Sequence, residues 1–159
     1  MDNDIIWAAG FIDGEGCINI NRVRYYRNKK IWYYQANISC GQTVKGEIAV
    51  KKLQSLFGGY IYRYQQRGNK LPTVTWAVRS KDARAVAQKL IPYLLLKKRQ
   101  AELLLKLQMR KERKLNHALT KEEHRGRELI FNQMKKLNAI GADYQKRLSE
   151  ETSKEEATV

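Results

Sequence analysis

The period of the apolar positions changes several times along the chain. Residues 5–12 are apolar or small (Ile5, Ile6, Trp7, Ala8, Ala9, Gly10, Phe11, Ile12) and run into Gly14-Glu15-Gly16, which predicts a short helix stopped by glycine. The period then drops to two. Ile18 and Ile20 alternate with Asn19 and Asn21, and Tyr34, Ala36, Ile38 and Cys40 alternate with Tyr33, Gln35, Asn37 and Ser39. Such alternation is the mark of half-buried strands, here a hairpin over 17–26 and 31–40 with Asn28-Lys29-Lys30 at its tip. Thr43 is placed to cap a second helix that presents Ala49, Leu53, Leu56 and Phe57 on one face and stops at Gly58-Gly59. A second strand pair follows over 60–67 and 73–79, with Gly68 to Pro72 as its turn. Ser80 is placed to cap a third helix closed off by Pro92, a fourth starts near Lys97, and Thr120 with Glu123 forms a capping box for a fifth that stops near Gly141.

The predicted fold class is α+β, with an α-β-β-α-β-β-α core, a four-stranded antiparallel sheet and extra C-terminal helices. Helices on one face of such a sheet leave the other face open. The positions expected there are Asn19, Asn21, Tyr33, Gln35, Asn37, Ser39, Tyr62, Tyr64, Gln66, Thr73 and Thr75. They are hydrogen-bonding groups and aromatics, whereas an ordinary solvated face carries more Glu and Lys. A face of this kind can read base edges from strands laid in a major groove.

Composition sharpens that expectation. The 159 residues suit one domain, and 43% hydrophobic content supplies a core without staples. Lys and Arg number 31 against 16 Asp and Glu, a net charge of +15, which points to a polyanionic partner. The positive charge is spread through the chain, with Arg24, Lys29 and Lys30 close to the hairpin and expected on DNA; the two lysines at the tip suit phosphates. Residues 149–159 are acidic instead, and read as a tail appended to a domain spanning 1–148. No apolar run reaches the ~18 residues of a membrane span, and Met1-Asp2-Asn3-Asp4 does not resemble a signal peptide. The expected location is intracellular, in the cytoplasm or nucleoid of a prokaryote or inside an organelle, without secretion or membrane contact. Cys17 and Cys40 form no C-x-x-C spacing and no Cys/His cluster, which argues against zinc.

The segment Ala8-Ala9-Gly10-Phe11-Ile12-Asp13-Gly14-Glu15-Gly16 resembles the LAGLIDADG motif of the homing endonucleases. Small-small-Gly, two apolar residues, then acid-Gly-acid-Gly fall in order and are followed at once by a strand. Ala8 stands where Leu is usual, and Glu15 where the consensus has Asp; family members use either acid. The resemblance covers roughly residues 5 to 140. It implies a site-specific endonuclease of the intron-encoded kind. Such an enzyme cuts both strands of a long pseudo-palindromic target by divalent-metal-dependent phosphodiester hydrolysis and leaves short 3′ overhangs. The motif occurs once, which in this family implies a homodimer built on the motif helices, with Trp7, Ala9, Gly10 and Asp13 at the contact. Ala9 and Gly10 are small enough for close helix approach. Glu15 and its partner copy would then meet, and two facing carboxylates repel unless cations hold them. Mg²⁺ or Mn²⁺, held by Glu15 and the Gly14 carbonyl, is the implied cofactor. By resemblance, Gln42 orients active-site water and Lys97 stabilises phosphate charge. Lys45 and Lys51 would add peripheral charge. Two alternatives stay open: an intron RNA maturase, with intron RNA as a further partner, and a DNA-binding regulator without catalysis on the same fold.

Overall fold

A computed structural model describes residues 2–25, 28–65, 68, 71–112 and 120–139, with the side chains of 25, 28–31 and 112 outside the description. Helix α1 spans Asp2–Glu15, strand β1 Gly16–Tyr25, strand β2 Asn28–Thr43, and helix α2 Glu47–Phe57. Strands β3 (Tyr60–Tyr64) and β4 (Thr73–Arg79) follow, then α3 (Ser80–Leu90), α4 (Lys98–Glu112) and α5 (Lys121–Leu137). The four strands form one antiparallel sheet in the order β1-β2-β4-β3. The expected architecture is therefore the observed one. The proposed tail over 149–159 lies outside the described residues.

Side-chain parity decides which face is buried. Ile18, Ile20, Tyr34, Ala36, Ile38, Cys40, Val74, Trp76 and Val78 share one side of the sheet and are at most 5% exposed. Onto that side pack Ala8, Ala9 and Ile12 of α1, Val50 and Leu53 of α2, Ala83, Val86, Ala87 and Leu90 of α3, Ala101, Leu104 and Leu107 of α4, and Ile130 and Met134 of α5. Gly58 and Gly59 (φ 69° and 83°) turn α2 into β3, and any side chain at Gly59 would lie 2.6 Å from the Ala77 carbonyl. The Gly58 carbonyl accepts a 2.7 Å hydrogen bond from the Trp76 indole, which satisfies that ring's buried donor.

Several local expectations change. Asn28, Lys29 and Lys30 are not the hairpin tip: β2 starts at Asn28, which pairs with Tyr25. Thr43 ends β2 and precedes a 3-10 turn over Val44–Gly46; its side chain caps nothing, and α2 begins only at Glu47. Ser80 is not a cap either. It is the first residue of α3, in the left-handed region (φ 51°), and the cap position falls to Arg79. Thr120 does cap α5, accepting from the Glu123 N–H at 3.2 Å. The Glu123 side chain, however, does not close the box. It accepts from Arg110 of α4 (3.0 Å) and Arg127 of α5 (3.0 Å), and so ties the last two helices together. Asn138, just past α5, donates to the Ile18 carbonyl at 2.9 Å and covers part of the free edge of β1.

Candidate active site and nucleic-acid interface

Helix α1 ends where β1 and the end of β2 meet, and three of the expected site residues converge there. Glu15, the last residue of α1, is exposed. Its Oε2 accepts a 3.0 Å hydrogen bond from Gln42 Nε2, across 27 residues of sequence. Lys97 Nζ donates to the backbone carbonyl of Asp13. Both Glu15 and Lys97 act electrostatically on Cys40, whose thiol is pushed up to about 12, first by burial and then by the Glu15 charge. Burial also raises Cys17, against the lowering effect of Lys97. Oxygen donors are available at the end of α1 itself. The Glu15 carboxylate and the Gly14 carbonyl supply them, at a helix C-terminus whose dipole favours cations. Among the described residues no three His, Cys, Asp or Glu side chains gather into a metal-holding group.

Asp13 sits behind this cluster and holds it in place. It is 8% exposed, and its carboxylate accepts the backbone N–H groups of Leu95 (2.6 Å), Leu96 (3.2 Å) and Lys97 (2.9 Å). The segment entering α4 is thereby pinned to the end of α1. Nothing in the local sequence announces this contact, because the partners lie 82 to 84 residues away.

The uncovered side of the sheet carries the polar positions that the alternation marks. Asn19 and Asn21 of β1 stand opposite Asn37 and Gln35 of β2, and Ser39 lies in the next row beside Cys17. Tyr33 pairs with Val23, and Thr73 and Thr75 of β4 face Tyr64 and Tyr62 of β3. Tyr60, Tyr62 and Tyr64 stack in sequence, with ring centroids 6.0 and 6.5 Å apart, and all three are exposed. Asn37 and Thr75, on the two central strands, are buried among their neighbours. Arg24 is not part of this row. It pairs with Trp32 on the helix side of the sheet, its guanidinium 4.7 Å from the ring centroid, beside Arg22 at 4.1 Å. Gln66 and the side chains of Lys29 and Lys30 lie outside the described residues. Glu47 accepts from Arg63, and Lys51 is engaged with the same carboxylate at 2.9 Å; the Arg63 hydrogen bond first and the Lys51 one second hold the Glu47 carboxyl down to about 2.

The sequence profile of the family described as LAGLIDADG endonuclease matches residues 8–109. The chain belongs to the LAGLIDADG endonuclease family. The DNA endonuclease I-CvuI of Chlorella vulgaris is 31% identical over 103 residues, 64% of this chain and 61% of that protein's length. The crystal structure of the homing endonuclease I-CvuI, in complex with its target in the presence of 2 mM Ca, superposes with a TM-score of 0.73. It covers 89% of this chain and 85% of that one at 19% identity. The homing endonuclease I-TnaI gives a TM-score of 0.64 over 92% and 96% of the two chains at 21% identity. The I-SmaMI LAGLIDADG homing endonuclease bound to cleaved DNA gives 0.70 over 85% of this chain and 45% of its own, at 19% identity.

Within the LAGLIDADG helix, the expected contact residues separate into two groups. Ala9 is fully buried in its own chain's core, and Asp13 is engaged by residues 95–97. Trp7 is half-buried, stacked on Phe11 at 5.3 Å with the Lys52 amine 4.5 Å from its ring centroid. Of the four, only Gly10 is exposed. The reason is the helical period: α1 must seat residues 8, 9 and 12 on the sheet, which leaves Asn3, Ile6, Gly10 and Gly14 as the outer stripe. At Gly10 and Gly14 an added Cβ would meet no atom within 4 Å, so a second backbone could approach there.

Proposed function

We propose that this chain is a site-specific double-strand DNA endonuclease of the intron-encoded homing type, acting as a homodimer. The observation that carries the reading is the cluster at the end of α1, where Glu15 is held by Gln42 and Lys97 by Asp13. Two copies related by a two-fold axis along the Ile6-Gly10-Gly14 stripe would bring their Glu15 carboxylates to one place. Each copy would serve one DNA strand, so the target would be long and pseudo-palindromic.

The donor set fits a hard divalent ion such as Mg²⁺ or Mn²⁺, with Glu15 and the Gly14 carbonyl holding it and the rest of its shell coming from the second copy and the phosphate. Such an ion supplies Lewis-acid polarisation of the phosphate and a more acidic water. The protein's own groups do the rest. Gln42 fixes the rotamer of Glu15 through its amide donor and offers its carbonyl oxygen to a water. Lys97 places a cationic group where charge develops on the scissile phosphate. The outer sheet face lies in the major groove, with the amides and hydroxyls of β1, β2 and β4 toward base edges. In-line hydrolysis on both strands leaves short 3′ overhangs.

The test is a cleavage selection. The full chain, with Glu15→Gln in parallel, is incubated with a random duplex library and Mg²⁺, and the cut ends are sequenced. A two-fold-symmetric site, lost in the variant and on adding EDTA while binding persists, is the expected result. Tight duplex binding without cutting by the natural chain would overturn the enzyme reading in favour of a regulator. Preference for intron RNA over duplex would do so in favour of a maturase.

A further inference from the structure

The outer sheet face is amide-rich and nearly free of charge. On the described part of that face there is no carboxylate, and the one cationic side chain is Arg79, whose guanidinium lies 5.1 Å from the Tyr60 ring centroid. In a chain of net charge +15, the described part of the surface proposed to meet bases thus carries a single cation. The chemistry of base edges gives this a consequence. Guanine shows two acceptors in the major groove and is matched by Arg or Lys. Cytosine shows a donor and is matched by a carboxylate. Adenine shows a donor beside an acceptor, and a planar amide matches both at once.

Resting on the DNA-reading role of this face, we propose that the half-site read by β1 and β2 is A·T-rich, with adenines paired to Asn and Gln amides. The amides are not scattered. Asn19 stands opposite Asn37 and Asn21 opposite Gln35, so two successive rows of the β1–β2 pair carry only amides, with Arg79 of β4 on the far side of Asn37. Rows on one side of a strand repeat every two residues, about 6.7 Å, which is close to two base-pair steps at ~3.4 Å each. Consecutive rows therefore meet base pairs about two steps apart. The third row, Val23 opposite Tyr33, is apolar and suits a thymine methyl group.

Accessibility divides the labour within each row. Asn21 and Gln35 are half-buried, so both amides reach the surface, and this row carries the strongest discrimination. Asn37 is buried, so in its row Asn19 makes the contact. Asn19 donates to Asn21 Oδ1 at 3.4 Å, and its own Oδ1 is buried without a hydrogen-bond partner. That unmet acceptor belongs to a residue of the face proposed to meet adenine amino groups, and a buried acceptor without a partner costs free energy that a bound donor would recover.

The experiment is a binding selection with the full-length Glu15→Gln chain on random duplexes at fixed salt, repeated with Asn21→Arg and with Gln35→Arg added. The expected motif has A·T pairs about two positions apart in each half-site, where the two amide rows fall. Each arginine substitution should move one position toward guanine, with about a ten-fold change in relative affinity there. Two substitutions guard against one failing to fold, which circular dichroism would reveal. A motif with G·C pairs at the positions these substitutions affect would overturn the inference while leaving site-specific binding intact. Arginine substitutions that alter binding equally for all sequences would overturn it too. Recovery of no motif at all would instead overturn the site-specific reading on which the inference depends.

Discussion

Three backbone N–H groups converge on the Asp13 carboxylate, and the Lys97 amine returns to the carbonyl of the same residue. Asp13 is thus a positioning residue. It touches no substrate in this reading, but it sets where Lys97 stands relative to Glu15. Asp13→Asn keeps the size of the side chain and replaces one acceptor oxygen by an amide that faces backbone donors. The expected result is a fall of about 10²-fold in single-turnover cutting, the scale of a 1 Å misplacement at a reacting centre, with DNA affinity little changed. Unchanged cutting at a temperature where the variant is folded would show that the clamp serves stability alone. The sequence shows that Asp13 and Glu15 lie two positions apart and differ in setting. It does not show which one faces inward, because that depends on residues more than eighty positions away.

At the scale of elements, α5 is attached to the rest of the fold by a polar device as well as an apolar one. Burial opposes ionisation of Glu123, but hydrogen bonds from Arg110 and Arg127 outweigh it and hold the carboxyl below its ordinary value. A carboxyl lowered on folding contributes stability that is present above its unfolded pKa of ~4.3 and lost as pH falls through the lower folded value. Glu123→Gln leaves Arg127, 5% exposed, without its charge partner. It should destabilise by about 3 kcal/mol at neutral pH. Urea titrations of both proteins from pH 7 to pH 3 should show the gap closing as the natural chain loses the same interaction. A gap constant across that range would mean that packing, not charge, is what the substitution disturbs. The Thr120–Glu123 spacing does mark the start of α5, but the side chain of Glu123 follows a stronger tertiary competitor than the capping box.

For the whole molecule, the outer stripe of α1 is where assembly is expected. Ile6 is 48% exposed, and Gly10 and Gly14 leave the backbone bare. Gly10→Leu adds a bulky side chain at a surface where its Cβ meets no atom of its own chain within 4 Å. Sedimentation should show a dimer for the natural chain and a monomer for the variant, with thermal stability of the fold little changed. A variant that stays dimeric would place the interface elsewhere. Dimerisation also governs cutting in this reading, since a monomer brings one Glu15 rather than two.

Local pattern determined the element order and the sheet face that is left open. Period-two alternation in β1, β2 and β4 leaves one set of side chains apolar, and water excludes that set whatever the partners are. The motif at 8–16 determined that an acid, Glu15, stands exposed at the end of α1, where the proposed chemistry would lie. Tertiary structure alone decided which small residues of α1 are spent on the core and which remain outside. Ala9 and Gly10 are adjacent in the chain, but a helix turns about 100° between them, and only the position of the sheet says which side is in. It also decided the role of Asp13 and the partners of Glu123. In each case the deciding contact comes from elsewhere in the fold, and a one-dimensional pattern carries no record of it.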